Sequence, residues 1–300
     1  MSRRRDAVKK NHWQAPGNFR VALPCPHQQA RTLVRMSTIQ TERPFVLSPP
    51  SPQNAVDLFA GEWASRFPAA GPAIAAGNVP LFEDPRLTWA DGALRELSGH
   101  GFSEQSVLEL GPLEAGHTYM LAQLGAQEVI AVEANAHAYL KCLVAKEVLN
   151  IPRAHFLLGD ALGYMRTIER TFDVGVACGF LYHMAEPVEA IALLARCCRR
   201  VFIWTVFYDE SLFVKQPALA PQFGPPRAAN FGGFAHTVFP QYYGDGIDYR
   251  KFRGGVQPSC CWMKSAEIIA ALRHFGFTAV TSHEEENPYG KAISVVGVKS

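Results

Sequence analysis

No apolar run in the sequence reaches the roughly 18 residues of a membrane-spanning helix, and the N-terminal stretch lacks the apolar core of a secretion signal. A soluble, cytoplasmic protein is the expectation. The seven cysteines (25, 142, 178, 197, 198, 260 and 261) are odd in number, form two adjacent pairs and contain no CxxC. That spacing suggests neither a disulfide framework nor a zinc ribbon, and reads as small buried hydrophobes in a reducing compartment. Neither charge sign dominates: 29 basic residues against 27 acidic ones leave +2, so the whole-chain balance makes no case for nucleic acid or a membrane surface. Internal repeats are absent as well.

What is there is ordinary globular chemistry, 48% hydrophobic and 19% charged over 300 residues, which is enough to bury a sizeable core. Charge is unevenly placed. Residues 1–35 carry eight Lys/Arg against Asp6, leaving 21 basic and 26 acidic residues, or −5, for residues 36–300. Pro16, Pro24 and Pro26 break any long amphipathic helix in this basic stretch, so residues 1–52 read as a disordered tail followed by a Pro-rich linker (Pro44, Pro49, Pro50, Pro52). Met36 offers a second start within it.

Ala55, Leu58, Phe59, Trp63 and Phe67 recur at helical spacing and Leu87–Leu97 forms a second helical pattern, so residues 53–100 are expected to be an N-terminal helical cap. From Ser106 the pattern changes to short apolar runs alternating with helical stretches, the mark of βαβ units. Strands are predicted at Ser106–Leu110, Val129–Val132, Ala154–Leu158, Asp173–Ala177, Val201–Thr205, Thr278–Ser282 and Ala292–Val298. Helices fall at Thr118–Leu124, Ala138–Leu149, Val188–Cys198 and Ser265–Phe275. The result is an α/β class chain with a doubly wound, mainly parallel, seven-stranded sheet over residues 101–300. An irregular, aromatic-rich insertion spans 206–262.

The first strand runs into a glycine turn, Glu109-Leu110-Gly111-Pro112-Leu113-Glu114-Ala115-Gly116-His117-Thr118, that lets backbone approach a ligand. A dinucleotide loop needs glycine where Leu113 stands, and a phosphate loop needs lysine where His117 stands, which weakens both readings. A third pattern, an acid followed by spaced glycines, fits Glu109 and Gly111, with Ala115 or Gly116 closing it. The second strand ends in Glu133, suited to the hydroxyls of a ribose, and the third in Gly159-Asp160-Ala161, suited to an adenine amino group. The fourth delivers Gly179-Phe180-Leu181-Tyr182-His183 to the same edge.

In these motifs, over about Ser106–Thr205, the chain resembles the class I S-adenosylmethionine-dependent methyltransferases, which implies a Rossmann-like fold. The resemblance implies S-adenosylmethionine as cofactor, held by Glu109, Gly111, Gly116, Glu133, Asp160, Ala161 and Gly179. It implies methyl transfer to a small-molecule acceptor. The Phe-Leu-Tyr-His stretch also resembles that of enzymes that carboxymethylate tRNA wobble uridine.

An acceptor hydroxyl or enolisable carbon needs a base, and His183, with Tyr182 beside it, is the catalytic candidate; His236 and Glu114 are weaker ones. His117 reads better as a helix-start residue. No metal-ligand spacing appears, although isolated acids still allow a magnesium ion with a phosphorylated substrate. Fourteen aromatics between Val201 and Trp262, about twice the chain-wide 11%, suit packing or an aromatic substrate pocket. Two alternatives remain. An RNA-modifying transferase would need a basic face, against the −5 of residues 36–300. A non-catalytic nucleoside-binding domain would keep the acids without turnover. The sequence leaves a homo-oligomer open.

Overall fold

A computed structural model describes residues 45–244, 256–287 and 290–300. The expectations for residues 1–44, the basic tail and Met36 included, lie outside the described residues, as do Tyr249, Phe252 and the basic residues Arg250, Lys251 and Arg253.

The chain opens with a short helix α1 (Pro52–Val56) and the longer α2 (Pro85–Ser98). There follow β1 (Ser106–Leu110), α3 (Gly116–Gln123), β2 (Glu128–Glu133), α4 (Ala136–Leu149), β3 (Ala154–Leu158), α5 (Ala161–Thr167), β4 (Phe172–Cys178), α6 (Pro187–Cys197) and β5 (Cys198–Val206). A second region holds α7 (Ser211–Lys215), β6 (Arg227–Phe231), β7 (Phe234–Tyr242) and β8 (Ser259–Trp262). The chain closes with α8 (Ser265–His274), β9 (Ala279–Asn287) and β10 (Gly290–Val298).

Seven strands form one sheet in the order β3-β2-β1-β4-β5-β10-β9. The first five run parallel, whereas β10 is antiparallel to both β5 and β9. Alternation along β1 splits the core: Val107 packs on one face with α2, α4 and the segment before α2, and Leu108 and Leu110 pack on the other with α5, α6 and α8. Helix starts follow their caps. Asn135 accepts the His137 and Ala138 amides, and Asp84 accepts the Arg86 amide ahead of Pro85. No helix among the described residues is long and apolar enough to cross a membrane.

Two expectations are corrected. Residues 55–67 are not one helix: α1 passes into a single 3-10 turn (Asp57–Phe59), Gly61 takes φ +77°, and Ser65 bridges to Val79 as extended chain. The buried Glu114 carboxylate draws the backbone out by accepting the Ala64 and Ser65 amides, at 3.1 and 2.8 Å. Phe59, Trp63, Phe67 and Phe82 pack as a run of ring contacts on the sheet core instead. Residues 206–262 are not irregular either. Strands β6, β7 and β8 form a three-stranded antiparallel sheet, with Gly232 and Gly233 both at positive φ in the two-residue turn between β6 and β7.

Candidate active site

The cofactor-site candidates and the Tyr182–His183 pair all fall at the carboxyl edge of the parallel strands, where open α/β sheets bind ligands. After β1 the backbone enters the left-handed region three times, at Gly111 (φ +68°), Leu113 (+54°) and Ala115 (+65°). Only the first is a glycine, so Leu113 and Ala115 each cost about 1–2 kcal/mol of backbone strain. Side chains hold the turn in place. Glu133, at the end of β2, accepts the Leu113 amide (3.1 Å) and the Asn135 amide (2.9 Å). Glu114 is fully buried against Lys141 Nζ at 2.8 Å, and Lys141 also donates to the Glu62 carbonyl. Glu114 therefore ties the loop to α4 and the N-terminal segment, and is not a base in the crevice.

Gly111 and Gly116 are glycines for different reasons. A Cβ at Gly111 would meet only the Phe180 ring edge, at 3.3 Å, and the positive φ is what favours glycine there. At Gly116 a Cβ would lie 2.7 Å from the Leu81 carbonyl oxygen, so this glycine serves close packing of the N-terminal segment on α3.

Glu109 is buried and accepts the Thr118 hydroxyl at 2.5 Å. Burial pushes its carboxyl up to about 7, against the pull of the His117 charge and the Thr118 hydroxyl. Burial also raises Glu133, opposed by the amides of Asn135 and Leu113. Asp160 caps α5, accepting the Leu162 amide at 3.3 Å and the Gly163 amide at 2.7 Å; Ala161 is buried behind it, and Leu158 is exposed beside it.

After β4, Gly179 (φ +83°) turns the chain into a 3-10 turn, Leu181–His183. The Tyr182 ring packs 4.2 Å from that of His183, with Trp204 and Trp262 edge-on to it. His183 Nδ1 lies 2.9 Å from the Tyr243 hydroxyl. Burial lowers His183 to about 4, so its ring is neutral at physiological pH. His236 is apart from this turn, buried in β7 with Nδ1 3.0 Å from the Phe234 carbonyl oxygen.

One cluster escapes sequence reasoning. Asp84, His117 and Cys178 come from three distant segments, yet their ligand-type atoms lie within 4.8 Å of one another. Asp84 lies 2.8 Å from His117 Nε2, and Cys178 Sγ lies 4.0 Å from the same nitrogen. Both Asp84 oxygens also take the Arg86 guanidinium, which stacks 4.1 Å above the Trp204 ring. With Asp84 so engaged, the group reads as an ion-paired network, not a metal centre. Burial opposes charge on His117, but Cys178 and Asp84 outweigh it and raise its pKa; Asp84 is correspondingly lowered despite its own burial. The one local signal is Asp84-Pro85, a helix start, which says nothing of partners far along the chain.

This architecture is that of class I S-adenosylmethionine-dependent methyltransferases. The N-terminal domain of EvdMO1, solved with SAH bound, superposes with a TM-score of 0.61 at 21% identity, covering 83% of this chain and 95% of that one. The same domain in the presence of SAH and D-fucose gives 0.60 over the same shares. Magnesium protoporphyrin IX methyltransferase (ChlM) from Synechocystis PCC 6803, with bound SAH, gives 0.50 at 17% identity, covering 75% of this chain and 90% of that one. No protein-family model matches the sequence, and no curated protein matches it.

Proposed function

We propose that this chain is an S-adenosylmethionine-dependent methyltransferase acting on a hydroxyl group of a small molecule. The observation that carries the reading is the pair of buried carboxylates, Glu109 and Glu133, flanking the Gly111–Ala115 turn. A pyrophosphate or triphosphate needs free loop amides and a cation there. Here the Leu113 amide is taken by Glu133, and both acids would repel phosphate. A ribose, which donates hydroxyl protons, and a cationic sulfonium suit the same acids.

In this reading Glu133 accepts the ribose hydroxyls, and Asp160 with Ala161 and Leu158 border the adenine. Gly111 and Gly179 let backbone approach. Arg86 and His117 supply positive charge for a carboxylate. The cofactor brings a methyl group already activated on sulfur, so the chain's tasks are alignment and proton removal. His183 takes the proton of the acceptor hydroxyl, and its neutrality leaves a lone pair ready. The aromatic cluster around Tyr182, Trp204, Tyr208, Phe223, Phe239 and Trp262 supports an acceptor with an apolar or flat body. EvdMO1, whose N-terminal domain was crystallised in the presence of SAH and D-fucose, and ChlM, a magnesium protoporphyrin IX methyltransferase, support a small-molecule acceptor.

The test is calorimetric titration with S-adenosylhomocysteine, with NAD and ATP as controls and Glu133→Ala alongside. Micromolar binding of S-adenosylhomocysteine alone, weakened at least tenfold in Glu133→Ala, is expected. Binding of NAD or ATP in its place, or none, would overturn the reading.

A further inference from the structure

We infer that Glu285 is a positioning residue: through the Trp204 indole it holds the Arg86 guanidinium at the crevice, ready for the carboxylate of the cofactor. The three residues come from distant segments. Arg86 lies in the first turn of α2, Trp204 near the end of β5 and Glu285 in the edge strand β9, with β10 between the two strands.

The contacts have a defined direction. An indole N–H only donates and an ionised carboxylate only accepts, so Trp204 Nε1 donates to Glu285 Oε1 at 2.7 Å. Glu286, next in β9, pairs with Lys215, but Glu285 has no ion pair among the described residues. Its charge therefore falls on the indole edge, which pins the ring and makes its face a better seat for a cation. The Arg86 guanidinium takes that seat, 4.1 Å from the ring centroid. Its Nε and Nη2 donate to Asp84, which leaves Nη1 without a hydrogen bond among the described residues. Asp84 thus fixes one side of the fork and Trp204 its height, and Nη1 remains for an incoming anion. The Arg86 side chain keeps 20% of its surface exposed, so a ligand can reach it. The same indole meets the Tyr182 ring edge-on at 6.2 Å, beside the turn that carries His183.

The purpose of this arrangement rests on the methyl-transfer reading, in which Arg86 faces the cofactor carboxylate. Glu285 touches no part of the cofactor in that reading and acts through Trp204 and Arg86.

The contact is read first without ligand. In the full chain labelled with 15N at tryptophan, the Trp204 indole N–H is assigned by its loss in Trp204→Phe and is expected downfield, as a donor to a carboxylate. Glu285→Ala should move it upfield, and Glu285→Gln, whose amide oxygen accepts at the same place, should move it less. Binding is then measured by calorimetry for S-adenosylhomocysteine and for 5′-methylthioadenosine, which keeps the adenosine and thioether but lacks the amino-acid end. Glu285→Ala and Arg86→Gln should each weaken S-adenosylhomocysteine about fivefold or more and leave 5′-methylthioadenosine within about twofold. The double variant should lose no more than Arg86→Gln alone, and Glu285→Gln should recover most of the loss seen in Glu285→Ala. Glu285 is half-exposed on an edge strand, so its two variants carry the comparison if Arg86→Gln does not fold. An indole N–H unmoved by Glu285→Ala, S-adenosylhomocysteine binding that this variant leaves unchanged or tightens, equal weakening of both ligands, full additivity, or Glu285→Gln behaving as Glu285→Ala would overturn the inference. A native chain that does not bind S-adenosylhomocysteine overturns the proposed function and this inference with it, whereas any of those results on a chain that binds it overturns this inference alone.

Discussion

Glu109 and Glu133 stand near the carboxyl ends of the adjacent strands β1 and β2, but differ in what satisfies them. Glu133 accepts two backbone amides, whereas Glu109 has one hydroxyl and is burdened by burial. Because burial raises Glu109 from its ordinary 4.5 to about 7, the folded chain holds a proton that the unfolded chain releases. The associated stability is fully present below about pH 4.5 and is lost as pH rises through about 7. Glu109→Gln cannot ionise and still accepts from Thr118, so it escapes that loss. Thermal melts of the two proteins should diverge with rising pH in favour of the variant, by about 3 kcal/mol once pH is well above 7. A difference that does not change between pH 4.5 and 8 would refute the assignment. Both acids are legible in the sequence because Glu133 closes an apolar run and Glu109 interrupts one just before a glycine turn. Their different environments are not, since Thr118 and the Leu113 amide reach them only after the turn has folded.

At the scale of elements, the parallel strands are legible because each is a short apolar run closed by a turn signal. Strands β1 and β3 match the predicted bounds, and β2, β4 and β5 extend them by one to three residues at an end. The segment before α2 reads as helix in the sequence because aromatics three or four residues apart also suit a non-helical chain whose rings pack on one another. Strands β6 to β8 leave little trace because β6 and β8 are only 5 and 4 residues long, and Pro240 interrupts the pattern of the longer β7. Packing of the N-terminal segment explains Gly116. Gly116→Ala would drive a Cβ into the Leu81 carbonyl and should destabilise by about 1–3 kcal/mol. By contrast Gly92 is exposed within α2, and a Cβ added there would meet nothing within 4 Å, so Gly92→Ala should gain up to about 1 kcal/mol. Chemical denaturation of both variants checks the pair; equal effects would mean that the N-terminal segment does not bear on α3.

Across the whole molecule, residues that are far apart in sequence meet at one edge of the sheet. The N-terminal segment brings Asp84 and Arg86 to His117, Cys178 and Trp204, and a buried Glu114–Lys141 pair anchors that segment to α4. The small sheet β6-β7-β8 adds Tyr243, Cys260 and Trp262 above the turn after β4. The strands alone are enough to suggest the fold, but the groups gathered around Trp204 and the Tyr182–His183 turn come from the two regions whose sequence patterns are least decodable. The reversed β10 beside β5 separates this sheet from an all-parallel dinucleotide-binding sheet. The most direct measurement is a crystal structure with S-adenosylhomocysteine. The account predicts the ribose hydroxyls on Glu133, adenine beside Asp160, the carboxylate toward Arg86 and His117, and the sulfur facing Tyr182 and His183. A ligand bound elsewhere, or in this crevice with its ribose away from Glu133, would contradict it.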